Sequence, residues 1–118
     1  LGVYHFKSAE DFIHDYLYPQ ENGNRCDVRW LEVGSDVKLR VDAVGRAFEA
    51  GVHPYTLEEL DAAKHSCDLP RHDYLTVNID GGQQGVGGDV PAVATLKPQY
   101  KLPKMQNLTL RCILQFKK

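Results

Sequence analysis

Four segments of this chain alternate apolar and polar residues with a period of two, and this pattern limits its possible folds more than any other feature. Such a period places the apolar side chains on one face of a β-strand. The apolar sets are Cys26, Val28 and Trp30; Val37, Leu39 and Val41; Leu75, Val77 and Ile79; and Leu108, Leu110, Cys112, Leu114 and Phe116. One apolar face and one polar face are typical of an antiparallel sheet with a solvated side. The prediction is an all-β fold with Trp30 buried in the core.

Turn and helix signals divide these strands. The run Gly34-Ser35-Asp36 predicts a hairpin turn. Thr56 and Glu59 have the spacing of a capping box, in which each side chain satisfies a free backbone amide at a helix start. Apolar residues follow at helical spacing, and Pro70 ends the segment. We therefore expect one short helix over Thr56–Lys64.

The length of 118 residues predicts a single domain over residues 1–118. It is too short for a catalytic barrel, which alone takes about 250 residues. The chain starts at Leu1 without an initiator Met, so we expect it to be a segment of a longer protein. A net charge of −2 and the absence of long apolar runs argue against nucleic-acid and membrane partners.

The cysteines and histidines do not follow a known metal or disulfide pattern. Three cysteines cannot all pair within the chain, and we expect mostly free, buried thiols. His65, Cys67 and His72 lie close in sequence, but their spacing fits no named zinc motif. They are better interpreted as a helix end and a turn, so we predict that this chain holds no metal or other cofactor.

No pair of acids suggests catalysis. Glycosidases need two carboxylates across the scissile bond, whereas the adjacent Glu58 and Glu59 point in different directions on a helix. The glycine-rich run Gly85–Asp89 lacks the Lys-Ser/Thr pair of a phosphate-binding loop. It predicts an ordered surface turn whose glycines adopt backbone angles closed to other residues. The expected set of catalytic residues in this chain is therefore empty.

Several runs, taken in order, resemble the last domain of the bacterial β-galactosidases of glycoside hydrolase family 2, the region called the β-galactosidase small chain. The similarity extends from about Tyr16 to the C-terminus. The runs are Tyr18–Arg25, Asp27–Trp30, Tyr55-Thr56 with Glu58-Glu59-Leu60, Lys64-His65 with Asp68-Leu69-Pro70, Val77–Asp80, and Gly85–Asp89.

The resemblance implies the C-terminal part of a large antiparallel β-supersandwich of the galactose-mutarotase-like type. The upstream strands and a Gly-Pro-x-Glu-Asn-Tyr type motif are missing from this chain. The parent enzyme is expected to hydrolyse terminal β-galactosides with retention, through two glutamates on a central barrel with Mg and Na nearby. Its compartment would be the bacterial cytoplasm or periplasm.

The resemblance also assigns this segment a role and partners. It would be non-catalytic and would support the active-site rim and the packing of subunits in a homo-oligomer. Its partner would be the rest of the parent β-galactosidase chain, and β-galactosides would bind through that parent. The alternatives are a stand-alone carbohydrate-binding module, with aromatics such as Tyr4, Tyr16 and Tyr18, or a structural β-sandwich module.

In the family the glycine loop lies at the active-site mouth, so Gly87, Gly88 and Asp89 are candidate substrate-binding residues. Typical members continue as Gly-Gly-Asp-Asp-Ser-Trp, and that Trp stacks on the sugar. Here the residues after Asp89 are Val90-Pro91-Ala92-Val93, which offer no aromatic face. We therefore expect the loop to keep its structural role and the isolated chain to bind galactose weakly or not at all.

Overall fold

A computed structural model describes residues 9–14, 16–84, 96–104 and 107–118 of the chain. Within these residues the fold is all-β with one short α-helix, as the sequence predicts. The elements are β1 (Arg25–Val28), β2 (Trp30–Gly34), β3 (Lys38–Ala43), β4 (Phe48–His53), α1 (Leu57–Ala62), β5 (Thr76–Asp80), β6 (Cys112–Lys117), and 3-10 helices at Ala9–Phe12, Ser66–Asp68 and Pro98–Tyr100. The strands form two three-stranded sheets, ordered β1-β4-β5 and β2-β3-β6. In this described part, no helix is long and apolar enough to cross a membrane.

The chain divides into two compact units. The first unit comprises Leu1–Cys26 and Ala50–Ile79, and the second comprises Asp27–Glu49 and Asp80–Lys118. The single domain expected over residues 1–118 stays a prediction.

The first unit has a well-covered core. Its buried apolar residues are Phe12, Ala50, Val52, Tyr55, Leu60 and Ala63. Gly23 lets the chain pass close to Phe12, because a Cβ at this position would lie 1.9 Å from the Phe12 carbonyl oxygen. Its φ of +75° also favours glycine. A side chain at position 23 would therefore push the Phe12 segment away from this core.

The expected helix is present and begins where the sequence places it. Thr56 Oγ1 accepts a hydrogen bond from the Glu59 amide at 3.2 Å, and Glu59 Oε2 accepts one from the Thr56 amide at 2.8 Å. The capping box is therefore confirmed. The helix ends at Ala62, two residues before the predicted Lys64, because the backbone of Ala63 is already extended.

The second unit contains the antiparallel sheet β2-β3-β6. The hairpin turn between β2 and β3 is confirmed, and Gly34 enters it with a φ of +123°. Residues directly opposite each other in an antiparallel pair share a face. The apolar pairs are Leu31 with Val41, Val33 with Leu39, Leu39 with Phe116, and Val41 with Leu114. One face of this sheet is therefore apolar, as the alternation predicts.

The last strand is shorter than the alternation from Leu108 to Phe116 suggests. β6 begins at Cys112, so Leu108 and Leu110 precede the strand. Cys112, Leu114 and Phe116 lie opposite Ala43, Val41 and Leu39 of β3, and they share one face. The predicted direction of the apolar residues is therefore right within the strand.

The prediction that Trp30 is buried is wrong. The run from Arg25 does not form one strand: Asp27 has a φ of +57°, β1 ends at Val28, and Trp30 begins a strand of the other sheet. This break changes which residues of the run face the core. Leu31 is buried, whereas Trp30 is 41% exposed and lies opposite Asp42 on the polar face.

None of the three cysteines forms a disulfide within the described residues, as expected, but they are not buried. Cys26 and Cys67 are exposed and Cys112 is half-buried. Cys26 lies in β1 beside the break at Asp27, and Cys67 lies in an exposed 3-10 helix. The burial tendency of cysteine is thus overridden by the local turns.

Candidate functional site

The candidate substrate-binding residues Gly87, Gly88 and Asp89 lie outside the described residues. The chain on either side of them is described and is held together. Gln84 Oε1 accepts a hydrogen bond from the Leu102 amide at 3.1 Å. A Cβ on Gly82 would lie 3.3 Å from Leu102 Cδ2 and 3.6 Å from Arg46 Nη2, so this glycine allows a close approach. We call the contact of Gly82 and Gln84 with Leu102 the loop clasp.

Within the described ranges, three acids have displaced pKa values, and all three are displaced downward. The side chain of Arg40 lowers the pKa of Asp42 through a hydrogen bond. For Glu32, partial desolvation acts upward, but hydrogen bonding to Lys117 and the charges of Lys38 and Arg40 lower the pKa overall.

The pKa of Glu59 is also lowered. The Thr56 backbone amide is the main cause of its lowered pKa, and the hydrogen bond to His72 adds to it. A catalytic proton donor of a glycosidase needs a raised pKa. Glu32, Asp42 and Glu59 have the opposite shift, which fits hydrogen-bond acceptors and ion-pair partners.

The histidines and cysteine that lie close in sequence do not come together as a metal site. The His65 amide donates to Asp68 Oδ2 at 2.9 Å, and Cys67 Sγ lies 3.8 Å from Asp68 Oδ1. His72 instead bonds Glu59 Oε1 through Nε2 at 2.8 Å and stacks on Tyr74, with 4.4 Å between ring centroids. Among the described residues, no three His, Cys, Asp or Glu side chains could hold a metal ion.

A small cavity lies in the first unit. Its volume is about 60 Å³, and Tyr16, Asn22, Tyr55, Ser66 and Arg71 are among its lining residues. Sites for small organic ligands usually measure about 300–1,000 Å³. This cavity is therefore too small for a sugar ring and fits only a few water molecules.

The polar face of the β2-β3-β6 sheet contains an aromatic side chain, Trp30, whose position the alternation pattern does not predict. The Arg40 guanidinium carbon lies 4.6 Å from the centroid of the Trp30 ring. Two hydrogen bonds hold this guanidinium on Asp42, from Nε at 2.8 Å and from Nη2 at 2.6 Å. The spacing of Arg40 and Asp42 by two residues already indicates a shared face. Nothing in the sequence indicates that Trp30 joins them, because that depends on the backbone at Asp27.

The opposite face of the same sheet is only partly covered. Val41 is fully buried and Leu31 is 9% exposed, whereas Leu114 and Phe116 are 58% and 79% exposed. All four side chains share this face. Large apolar side chains grouped in this way are typical of surfaces that contact other protein. We call Leu114 and Phe116 the open apolar edge.

The two three-stranded sheets and the one short helix of the described residues define a segment of an all-β sandwich. The family model for the β-galactosidase small chain matches residues 1–114. The chain belongs to this family.

Individual relatives agree with the family model. The chain is 34% identical to β-galactosidase BgaC of Bifidobacterium adolescentis over 98% of its own length and 11% of that protein. It is 38% identical to the β-galactosidase of Halalkalibacterium halodurans over 85% of this chain and 10% of that enzyme. The β-galactosidase of Kluyveromyces lactis is 32% identical over 98% of this chain and 11% of that enzyme. The chain thus spans about a tenth of the length of these relatives.

Proposed function

We propose that this chain is a non-catalytic segment of a longer β-galactosidase, in which it supports the active-site rim and the packing between subunits. The observation that carries the proposal is the match of nearly the whole chain to about a tenth of each relative. Hydrolysis of terminal β-galactosides would then depend on residues of the parent outside this chain. Any Mg and Na of the parent would be bound by its residues outside this chain.

The open apolar edge supports the packing role. Phe116 is 79% exposed although it lies opposite Leu39 in the sheet. Covering such a side chain stabilises a protein by about 1.5–3 kcal/mol. The rest of the parent polypeptide, or a second subunit of a homo-oligomer, would provide this cover.

The loop clasp supports the rim role. The hydrogen bond between Leu102 and Gln84 joins the two chain segments that flank residues 85–95. The candidate residues Gly87, Gly88 and Asp89 lie within that range. A loop whose ends are fixed loses less conformational entropy when it is positioned beside a substrate. Contact of Asp89 with a β-galactoside is part of this proposal.

The test compares the full-length parent with this chain alone. In a chromogenic β-galactoside assay, we expect turnover by the parent and none by the 118-residue chain. Turnover by the chain that is lost when one of its own acids is mutated would contradict the proposal.

A matched pair of variants tests the packing role in the parent. Phe116→Glu should lower the melting temperature or dissociate the oligomer, because it places a charge on the open apolar edge. Gln115→Glu is the control, since it makes the same change one residue away on the other face. Equal effects of both variants would show that this edge is not an interface.

A further inference from the structure

We propose that the polar face of the β2-β3-β6 sheet around Trp30 binds a neutral saccharide. The site consists of Trp30, Arg40 and Asp42, with Ile113 beside them, and it uses no residue of the glycine loop. All four residues belong to the second unit. The structure places an aromatic ring and paired polar groups on one face of this sheet.

Trp30 provides the aromatic ring. It is 41% exposed, so part of the indole is accessible to a ligand. The guanidinium of Arg40 lies over the ring at 4.6 Å and limits its motion. A ring held in this way loses little side-chain entropy when the apolar face of a pyranose packs against its exposed part.

Arg40 and Asp42 provide the polar groups. Asp42 lies directly opposite Trp30 in the sheet register, and Glu32 lies opposite Arg40. The bidentate contact fixes the positions of the guanidinium and the carboxylate. Each group keeps further hydrogen-bonding capacity, because a guanidinium has five N–H donors and a carboxylate about four acceptor sites. Sugar hydroxyls, which both donate and accept, match this mixed set.

Ile113 extends the surface on the other side of Asp42. It lies opposite Asp42 in the register of β3 and β6 and is 51% exposed. Trp30, Asp42 and Ile113 therefore form a row across three strands, with strands about 4.8 Å apart. Such a row is wide enough to contact two sugar rings of an oligosaccharide.

The charges of this face favour a neutral ligand over an anion. Arg40 is paired with Asp42, and Glu32 contacts Lys38 and Lys117 at 3.6 Å and 3.4 Å. An anion would have to compete with these carboxylates for the same cations. The charges and the aromatic ring of this surface indicate a neutral ligand without reference to the proposed function. That this ligand is a saccharide rests on the proposed function.

Fluorescence gives a direct test, because Trp30 is the only tryptophan of the chain. The 118-residue chain is titrated with lactose and with galacto-oligosaccharides, and glycerol at equal mass is the control for solvent effects. We expect a saturable change in Trp30 emission with a Kd in the order of 1 mM, which corresponds to about −4 kcal/mol. A change no larger than that caused by glycerol would overturn the proposal.

Variants locate the binding surface by saturation-transfer NMR, which detects the saccharide. Trp30→Ala should weaken binding at least about tenfold, and Trp30→Phe, which keeps a smaller ring, should weaken it less. Tyr100→Ala is the matched control, since Tyr100 is an exposed aromatic of the second unit that lies outside this face. Circular dichroism verifies that each variant is folded.

The outcomes separate this site from the proposed function. Unchanged binding by Trp30→Ala, or equal loss in Tyr100→Ala, would refute the Trp30 site and leave the proposed function untouched. A parent that hydrolyses no β-galactoside would refute the proposed function, and the fluorescence titration would still decide the Trp30 site.

Discussion

Two groups of apolar side chains, the core of the first unit and the apolar face of the β2-β3-β6 sheet in the second, differ in how completely they are covered. In the first unit, Tyr55, Leu60 and Ala63 are all at most 6% exposed. In the second, the fully buried Val41 shares its face with Leu114 and Phe116, which remain mostly exposed. Sequence alternation therefore shows which face of a strand is apolar, but not whether anything covers that face.

The largest difference in stability is expected between two variants, each of which replaces one leucine of one unit. Leu60→Ala should lower the free energy of unfolding by about 2–5 kcal/mol, because it leaves a cavity in the first core. Leu114→Ala should change it by at most about 0.5 kcal/mol, since its side chain is 58% exposed. Urea denaturation of both variants measures the two values. Similar losses would show that the second unit covers this face after all.

A smaller effect is expected at the helix of the first unit. Thr56→Ala removes the side chain that accepts the Glu59 amide and should cost about 1 kcal/mol. Thr56→Ser keeps the hydroxyl and should cost much less. Thermal unfolding of the two variants measures how much this capping hydrogen bond contributes to stability. Equal losses of stability would mean that the methyl group, rather than the hydrogen bond, stabilises this helix.

The buried His53 should make the first unit sensitive to acid. Its side chain is 1% exposed, and its Nδ1 has no hydrogen-bond partner within the described residues. Burial lowers the pKa of His53 below its ordinary 6.5, and the charge of Glu21 only partly offsets this. The folded state therefore holds the neutral form.

The sign of the pH dependence follows from that preference. Stability from His53 is fully present above pH 6.5 and falls as the pH drops below 6.5, because the unfolded chain then binds the proton first. His53→Phe keeps a ring against Tyr55 and removes the titration. Melting temperatures measured from neutral pH down to about pH 5 should fall less steeply for this variant. If the melting temperatures of the wild type and of the variant fall in parallel as the pH is lowered, other groups cause the acid sensitivity.

The smallest effect is expected on the polar face of the second unit. Glu32 bridges Lys38, Arg40 and Lys117 at 3.4–3.8 Å. Its replacement by Gln should lower the melting temperature slightly at low ionic strength and not at high ionic strength, because salt screens exposed pairs. A loss that does not depend on salt would show that packing, rather than charge, is the contribution of Glu32.

The sequence predicts those features that depend on neighbouring residues. The capping box of Thr56 and Glu59 and the turn at Gly34 are local, and both are confirmed. The apolar face of β3 and β6 also follows from periodicity. The all-β class and the family follow from several such signals in series.

The features that depend on one backbone angle or on distant contacts are not predictable in this way. Asp27 adopts a φ of +57°, and this single conformation moves Trp30 out of the expected core. Asp is enriched several-fold at positive φ, but such residues are a few per cent of all non-glycine residues, so the residue type alone does not predict this conformation. Cys26, which lies next to Asp27 in the short β1 strand, is also exposed against expectation. Of the candidate site, the sequence gives the loop of Gly87, Gly88 and Asp89, and its structure stays a prediction.

The loop clasp has a consequence for substitutions in this part of the chain. The Leu102 amide bonds Gln84 Oε1, and Gly82 leaves room for the Leu102 side chain, so both contacts are made by residues outside positions 85–95. A substitution within those eleven positions therefore removes neither partner of the clasp. Protein engineers could change the segment from Gly85 to Thr95 and leave the residues that join its two flanks untouched.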